Sequence, residues 1–164
     1  MYGILEQYGC RLNEPQIEMT QEFLAGVQSI VEPLLTELGF ELVGYDDHID
    51  EGGSQDSVVF FRSKDCKIQI YDSNRGGEIN CMIAALDAPD VFGLYDRSGK
   101  WQYLPRYAIW QGVSPEEIMK DKLPVDFPTT SQFLESVRRR IEKYYPVAHA
   151  GVIATDGPDW PRGD

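Results

Sequence analysis

From Ile17 to Leu38 the apolar residues Phe23, Val27, Ile30, Val31, Leu34, Leu35 and Leu38 fall at the spacing of one helix face. At Phe40 the period shortens from about 3.6 to 2. The alternating segments Phe40 to Tyr45, Val58 to Arg62, Cys66 to Asp72 and Glu78 to Ala84 read as strands. They are joined by DDHIDEGGSQD and DSNRGGE, stretches rich in the residues that turns require, so neighbouring strands pair antiparallel. A second helical stripe, Phe133, Leu134, Val137, Ile141 and Tyr144, follows and is expected to stop at Pro146. The pattern predicts an α+β fold: an antiparallel sheet of four or more strands, with N- and C-terminal helices packed on one face.

Local signals refine this. Pro33 removes an amide donor inside the first helix, so a kink or break is expected near Ser29 to Glu32. Gly39 supplies the left-handed residue that ends a helix, and Phe40 can fold back on the last turn. Phe40, Leu42, Val58, Phe60, Ile68, Ile70, Cys81 and Ile83 form one expected inward set. The opposite set, Val43, Tyr45, Val59, Phe61, Tyr71 and Met82, is too apolar for a face in water, so later chain or a second subunit must cover it. Val91 to Tyr95 and Trp101 to Leu104 read as a second hairpin around DRSGK. Ser114, Pro115 and Glu117 start a short helix to Lys120, and Thr129 with Gln132 opens the last one. Residues 1–146 make a single domain, and residues 147–164 an irregular tail.

The 164 residues suffice for one ordinary core without disulfides. Cys10, Cys66 and Cys81 form no C-x-x-C pair, and the start MYGILEQYGC lacks the basic and apolar regions of a secretory signal, which together point to reduced thiols in a cytoplasm. No stretch approaches the length of a membrane span. Twenty-seven acidic residues against fifteen basic ones give a formal charge of −12, which argues against nucleic acid and anionic lipid as partners. The basic run Arg138, Arg139, Arg140 and Lys143 fans around its helix and reads as a solvated face near the helix end.

Candidate chemistry is sparse. His48 and His149 belong to no metal-binding or catalytic spacing, and no phosphate-binding glycine loop or nucleophile elbow occurs. No cofactor, no tightly bound metal and no catalytic cysteine are expected; Cys66 and Cys81 read as small buried thiols. The acidic stretch Asp46, Asp47, His48, Asp50 and Glu51 lacks the glycine and glutamate positions of a calcium loop, and reads as a solvated turn or a protein-binding rim. Phe92, Tyr95, Trp101, Tyr103, Tyr107 and Trp110 cluster along the chain; most suit a core, while Tyr107 and Trp110 are candidates for a partner surface or pocket.

The stretches LLTELGFELVGYDDHID and SVVFFRSKDCKIQIYDSNRGGEINCMIAAL resemble a pattern in small bacterial α+β proteins, among them immunity proteins of polymorphic toxin systems. The likeness covers residues 30–86, lies at the level of fold, and carries no site residues with it. It implies a non-enzymatic inhibitor of a basic toxin or nuclease. Asp46, Asp47, Asp50 and Glu51 would form the rim of its partner surface, with Tyr107 or Trp110 as anchor. The alternatives are a small-molecule-binding or hydrolytic domain with a pocket beneath residues 92–110, and a homodimer through the second sheet face.

Overall fold

The structure, a computed structural model, describes residues 22–121, 123 and 125–154. The expected helix start at Ile17, the thiol of Cys10 and tail residues 155–164 lie outside the described residues. The first helix, α1, covers residues 22–37. It does not break at Pro33; its middle, Val27–Val31, widens into a π-helical turn, with the Glu32 amide bonded to the Val27 carbonyl. The wider turn sits immediately before Pro33, where an α-helix would meet both the missing amide and the pyrrolidine ring. Gly39 (φ 92°) ends the helix as expected. The Phe40 amide reaches Leu35 O at 2.8 Å and the Gly39 amide reaches Thr36 O at 3.0 Å, the double bond of a Schellman ending.

Five strands follow: β1 (Glu41–Glu51), β2 (Ser54–Arg62), β3 (Cys66–Ser73), β4 (Glu78–Ala85) and the short β5 (Gln102–Tyr103). They form one antiparallel sheet in the order β1-β2-β3-β4-β5. The acidic stretch between the first two strands is not the open turn expected from its composition. Glu51 pairs with Ser54 around Gly52 and Gly53, whose φ angles of 66° and 97° suit a two-residue hairpin turn, so Asp46 to Asp56 belongs to the ladder. The pairing shifts between Leu42 and Gly44 and again between Asp46 and Ile49, which kinks this edge strand.

Beyond β5 come α2 (Leu104–Trp110), α3 (Pro115–Met119) and α4 (Thr130–Ala154). The Ser114 hydroxyl caps α3 through the Glu117 amide. Thr129 and Gln132 form the expected reciprocal box, with the Gln132 amide on Thr129 Oγ1 at 3.1 Å and the Thr129 amide on Gln132 Oε1 at 2.8 Å. Helix α2 was not foreseen. Nor does α4 stop at Pro146; it runs to Ala154, taking residues 147–154 out of the supposed tail. The carbonyl that Pro146 leaves without a donor belongs to exposed Glu142, where water can serve it. The basic run therefore lies mid-helix, away from the end whose dipole it was expected to complement.

α1, α2 and α4 cover one face of the sheet around Phe61, Ile68, Ile70, Cys81 and Ile83. The parity expected for β2 is reversed. Val59 pairs with Ile70 and Phe61 with Ile68, so Val59 and Phe61 join the helix face, while Val58 and Phe60 join the other. That other face is covered by the chain itself. Residues 86–103 form a strap whose Ala88, Phe92 and Trp101 pack on Val58, Phe60, Tyr71 and Met82. The expected second hairpin is absent: Gly93–Tyr95 is a single 3-10 turn, and only Gln102–Tyr103 pairs, with β4.

Candidate functional site

Three regions collect functional groups: the acidic edge of β1, a groove along α4, and a cluster joining the β2–β3 turn to the end of α4.

β1 is one edge of the sheet. Asp46 and Asp50 are exposed and Asp47 half-buried, and each has local duties. Asp46 Oδ1 accepts the His48 amide at 2.8 Å, and Asp50 Oδ1 accepts the Gly53 amide at 2.9 Å, bracing the bulge and the turn respectively. Gln55 Nε2 donates to Asp47 O at 2.6 Å, and His48 Nε2 lies 3.2 Å from Asp47 Oδ1. Tyr95, reaching across from the strap, donates to Asp50 O at 2.6 Å. A shallow cleft of about 260 Å³ between His48, Asp50, Gly53 and Gln55 completes the region.

Tyr107 and Trp110 are not brought to this rim. They lie on α2, which follows β5 at the opposite edge of the sheet. Tyr107 is 2% exposed within the helix-side core, so it presents no surface for the anchor role expected of Tyr107 or Trp110. Trp110 packs edge-on against Tyr107 at 5.1 Å and carries the Arg106 guanidinium 5.2 Å from its ring centre. The strap part of the aromatic segment lies directly on the sheet. Phe92 meets Tyr71 edge-on at 5.3 Å and Trp101 lies tilted against Phe60 at 6.1 Å, so their rings fill the space expected to hold a pocket.

A cavity of about 680 Å³ lies instead beside α4, lined by Lys120, Asp121, Ser136, Arg139, Arg140 and Lys143 among others. Several of its charges are engaged. Lys143 Nζ pairs with Asp121 at 3.2 Å, the Tyr144 hydroxyl donates to Asp121 Oδ2 at 2.7 Å, and Arg140 donates to Asn80 Oδ1 at 3.0 Å. The Tyr144 hydrogen bond is the main reason that the Asp121 carboxyl sits below its ordinary range. This network ties the segment after α3 to α4 and β4.

The third region unites residues far apart in sequence. Asp65 Oδ2 meets His149 Nε2 at 3.0 Å across a separation of 84 residues. Ser63 Oγ donates to Asp65 Oδ1 at 3.1 Å and lies 3.5 Å from the buried Cys66 Sγ. Tyr145 stacks on the His149 ring at 5.2 Å. The hydrogen bond from His149 depresses the Asp65 carboxyl, while burial pushes the Cys66 thiol up to about 11. Burial likewise lifts Cys81 to about 12. A hydrolytic triad needs the imidazole between nucleophile and carboxylate. Here the carboxylate sits between serine and imidazole, so the three are not ordered as that triad is. No local spacing in the sequence could have revealed this cluster, because His149 joins it only through the length of α4.

Among the described residues no helix is long and apolar enough to cross a membrane. No protein-family model, curated protein or solved structure matches the chain.

Proposed function

We propose that the protein is a non-enzymatic binding protein, of the immunity type, that engages a basic protein partner along the acidic edge of β1. One observation carries this reading: an eleven-residue strand at the edge of the sheet bears Asp46, Asp47, Asp50 and Glu51. An edge strand offers backbone donors and acceptors to an added strand, and its acids select a cationic one. Charge on an edge also discourages self-association, and the bulges serve the same end. The two roles are compatible, since charges that repel a second copy attract a basic chain. Trp110 and Tyr107 are not assigned to this surface, because both lie on α2 and Tyr107 is buried in the helix-side core.

The test begins with recovery of the partner from the native host and continues with association kinetics at two salt concentrations. Steering by exposed charges is screened beyond ~8 Å at physiological ionic strength, so the on-rate should fall steeply as salt rises. Reversal of Asp47 to lysine, and replacement of Asp46 and Asp50 by asparagine, which keeps an acceptor for the His48 and Gly53 amides, should slow association. Binding indifferent to both salt and charge reversal would refute the reading.

A further inference from the structure

Asp65, Cys66 and His149 each contribute one donor atom to a common space, and the carboxylate, thiol and imidazole atoms all lie within 4.8 Å of one another. We propose that this cluster is a zinc site, with Asp65, Cys66 and His149 as protein ligands and water in the fourth position. The inference is independent of the acidic edge, which lies on another part of the sheet.

The donor set is the first argument. One sulfur, one imidazole nitrogen and one carboxylate oxygen match a borderline-soft divalent ion, whereas magnesium and calcium select oxygen alone. Geometry is the second. A tetrahedral zinc ion with bonds of about 2.0–2.3 Å separates its ligand atoms by roughly 3.3–3.7 Å. The Asp65–His149 separation is 3.0 Å and no pair of the three donors is further apart than 4.8 Å, so the set lies close to that range. Side-chain adjustment therefore suffices, with the backbone held by the β2–β3 turn and by α4.

The surroundings supply the third argument. Ser63 donates to Asp65 Oδ1, leaving Oδ2 aimed at His149. The Ser63 hydroxyl also accepts the Cys66 amide at 3.2 Å, which fixes the turn that carries both ligands. Tyr145, stacked on His149 with an interplanar angle of 26°, sets the plane of the imidazole. Such outer contacts orient metal ligands and raise affinity. The cluster is partly open to solvent. The side chains of His149 and Asp65 are 33% and 29% exposed, while Cys66 closes the floor.

Binding is a coordination step without redox change. The Cys66 thiol gives its proton to solvent and its sulfur bonds the metal. His149 presents the Nε2 lone pair with its proton on Nδ1, and the direct Asp65–His149 hydrogen bond is replaced by the bridging ion.

The experiment titrates the chelator-treated full chain with Co²⁺ and then Zn²⁺. One Co²⁺ per chain should bind with a thiolate-to-metal charge-transfer absorption, and Zn²⁺ should displace it and raise the melting temperature. Cys66→Ser should erase the absorption. His149→Gln and Asp65→Asn, both at partly exposed positions, should each weaken binding by about tenfold or more and decide the matter if Cys66→Ser fails to fold. Cys10→Ser and His48→Gln should leave the absorption unchanged. Absence of the band, its persistence in Cys66→Ser, or undiminished affinity in both His149→Gln and Asp65→Asn would overturn the proposal.

Discussion

The two faces of the sheet are both buried, yet they are covered by different kinds of chain and are built differently as a result. Helices α1, α2 and α4 bond their own backbones, so the face beneath them can be almost wholly apolar: Cys66, Ile68 and Ile70 on β3, Cys81 and Ile83 on β4. The strap has little regular structure and cannot satisfy itself. The alternate residues of β3 supply what it lacks. Lys67 Nζ donates to Ala88 O and to Asp90 Oδ1, both at 2.7 Å. Gln69 donates to Val91 O at 3.1 Å and accepts the Gly93 amide at 2.8 Å. Tyr71 and Tyr103 share a hydroxyl–hydroxyl bond of 2.7 Å, and Trp101 donates its indole proton to Pro89 O at 2.8 Å. A buried polar residue on a strand is thus explained by the irregularity of what lies over it.

The largest effect expected from breaking this contrast is on the helix face. Ile68→Ala should cost about 2–5 kcal/mol in denaturant melts, whereas Ile68→Val should cost only about 0.5–1.5 kcal/mol, since the loss there scales with volume. Under the strap, volume is the wrong measure. Gln69→Leu keeps the size and adds apolar surface, yet it orphans the buried Gly93 amide, at about 1–3 kcal/mol, while the Val91 carbonyl, on an exposed residue, can turn to water. A neutral Gln69→Leu would mean that the strap is held by apolar packing alone, and the contrast would collapse.

The smallest effect concerns the one acid that β3 turns toward the helix side. Burial lifts the Asp72 carboxyl from 3.8 to about 6. Its folded pKa is raised, so the stability it contributes is complete below about 3.8 and is lost as pH rises through about 6. Asp72→Asn should therefore gain about 1–2 kcal/mol at pH 7, after allowance for solvent screening, and nothing at pH 4. Melts of both proteins across this window check the sign. An equal gain at both pH values would show that the carboxylate charge is not the cause.

Legibility in the sequence follows the same division. The helix-covered half was readable because periodicity, the Gly39 ending and the Thr129–Gln132 box each report a local rule. The β2 parity was not, since Val58, Val59, Phe60 and Phe61 are apolar on both sides and only the pairing with β3 distinguishes them. Polar residues 46–57 concealed a ladder whose real signal was the Gly52–Gly53 pair. Pro146 lies inside α4, where the carbonyl it leaves without a donor belongs to an exposed residue and the rest of the helix stays packed on the sheet. Among the sites, the acidic edge was visible as composition. The Asp65–Cys66–His149 cluster depended on the extra turns of α4, and Tyr107 was misread because α2 itself was missed.

Gly93 gives the strap a place in the order of assembly. A Cβ there would overlap Met82 Sδ on β4 and press against Gln69 on β3, so the residue docks into a seat made by two strands already side by side. The seat and its hydrogen-bonding partner Gln69 lie far back along the chain, while β2, β3 and β4 need only short turns to meet. Closure over long separations is slower than closure of hairpins. The meander can therefore pair before the strap docks on it, which predicts that the strap opens at lower cost than the ladder beneath it. Hydrogen exchange at the Gly93 amide would report that local opening separately from the unfolding of the sheet.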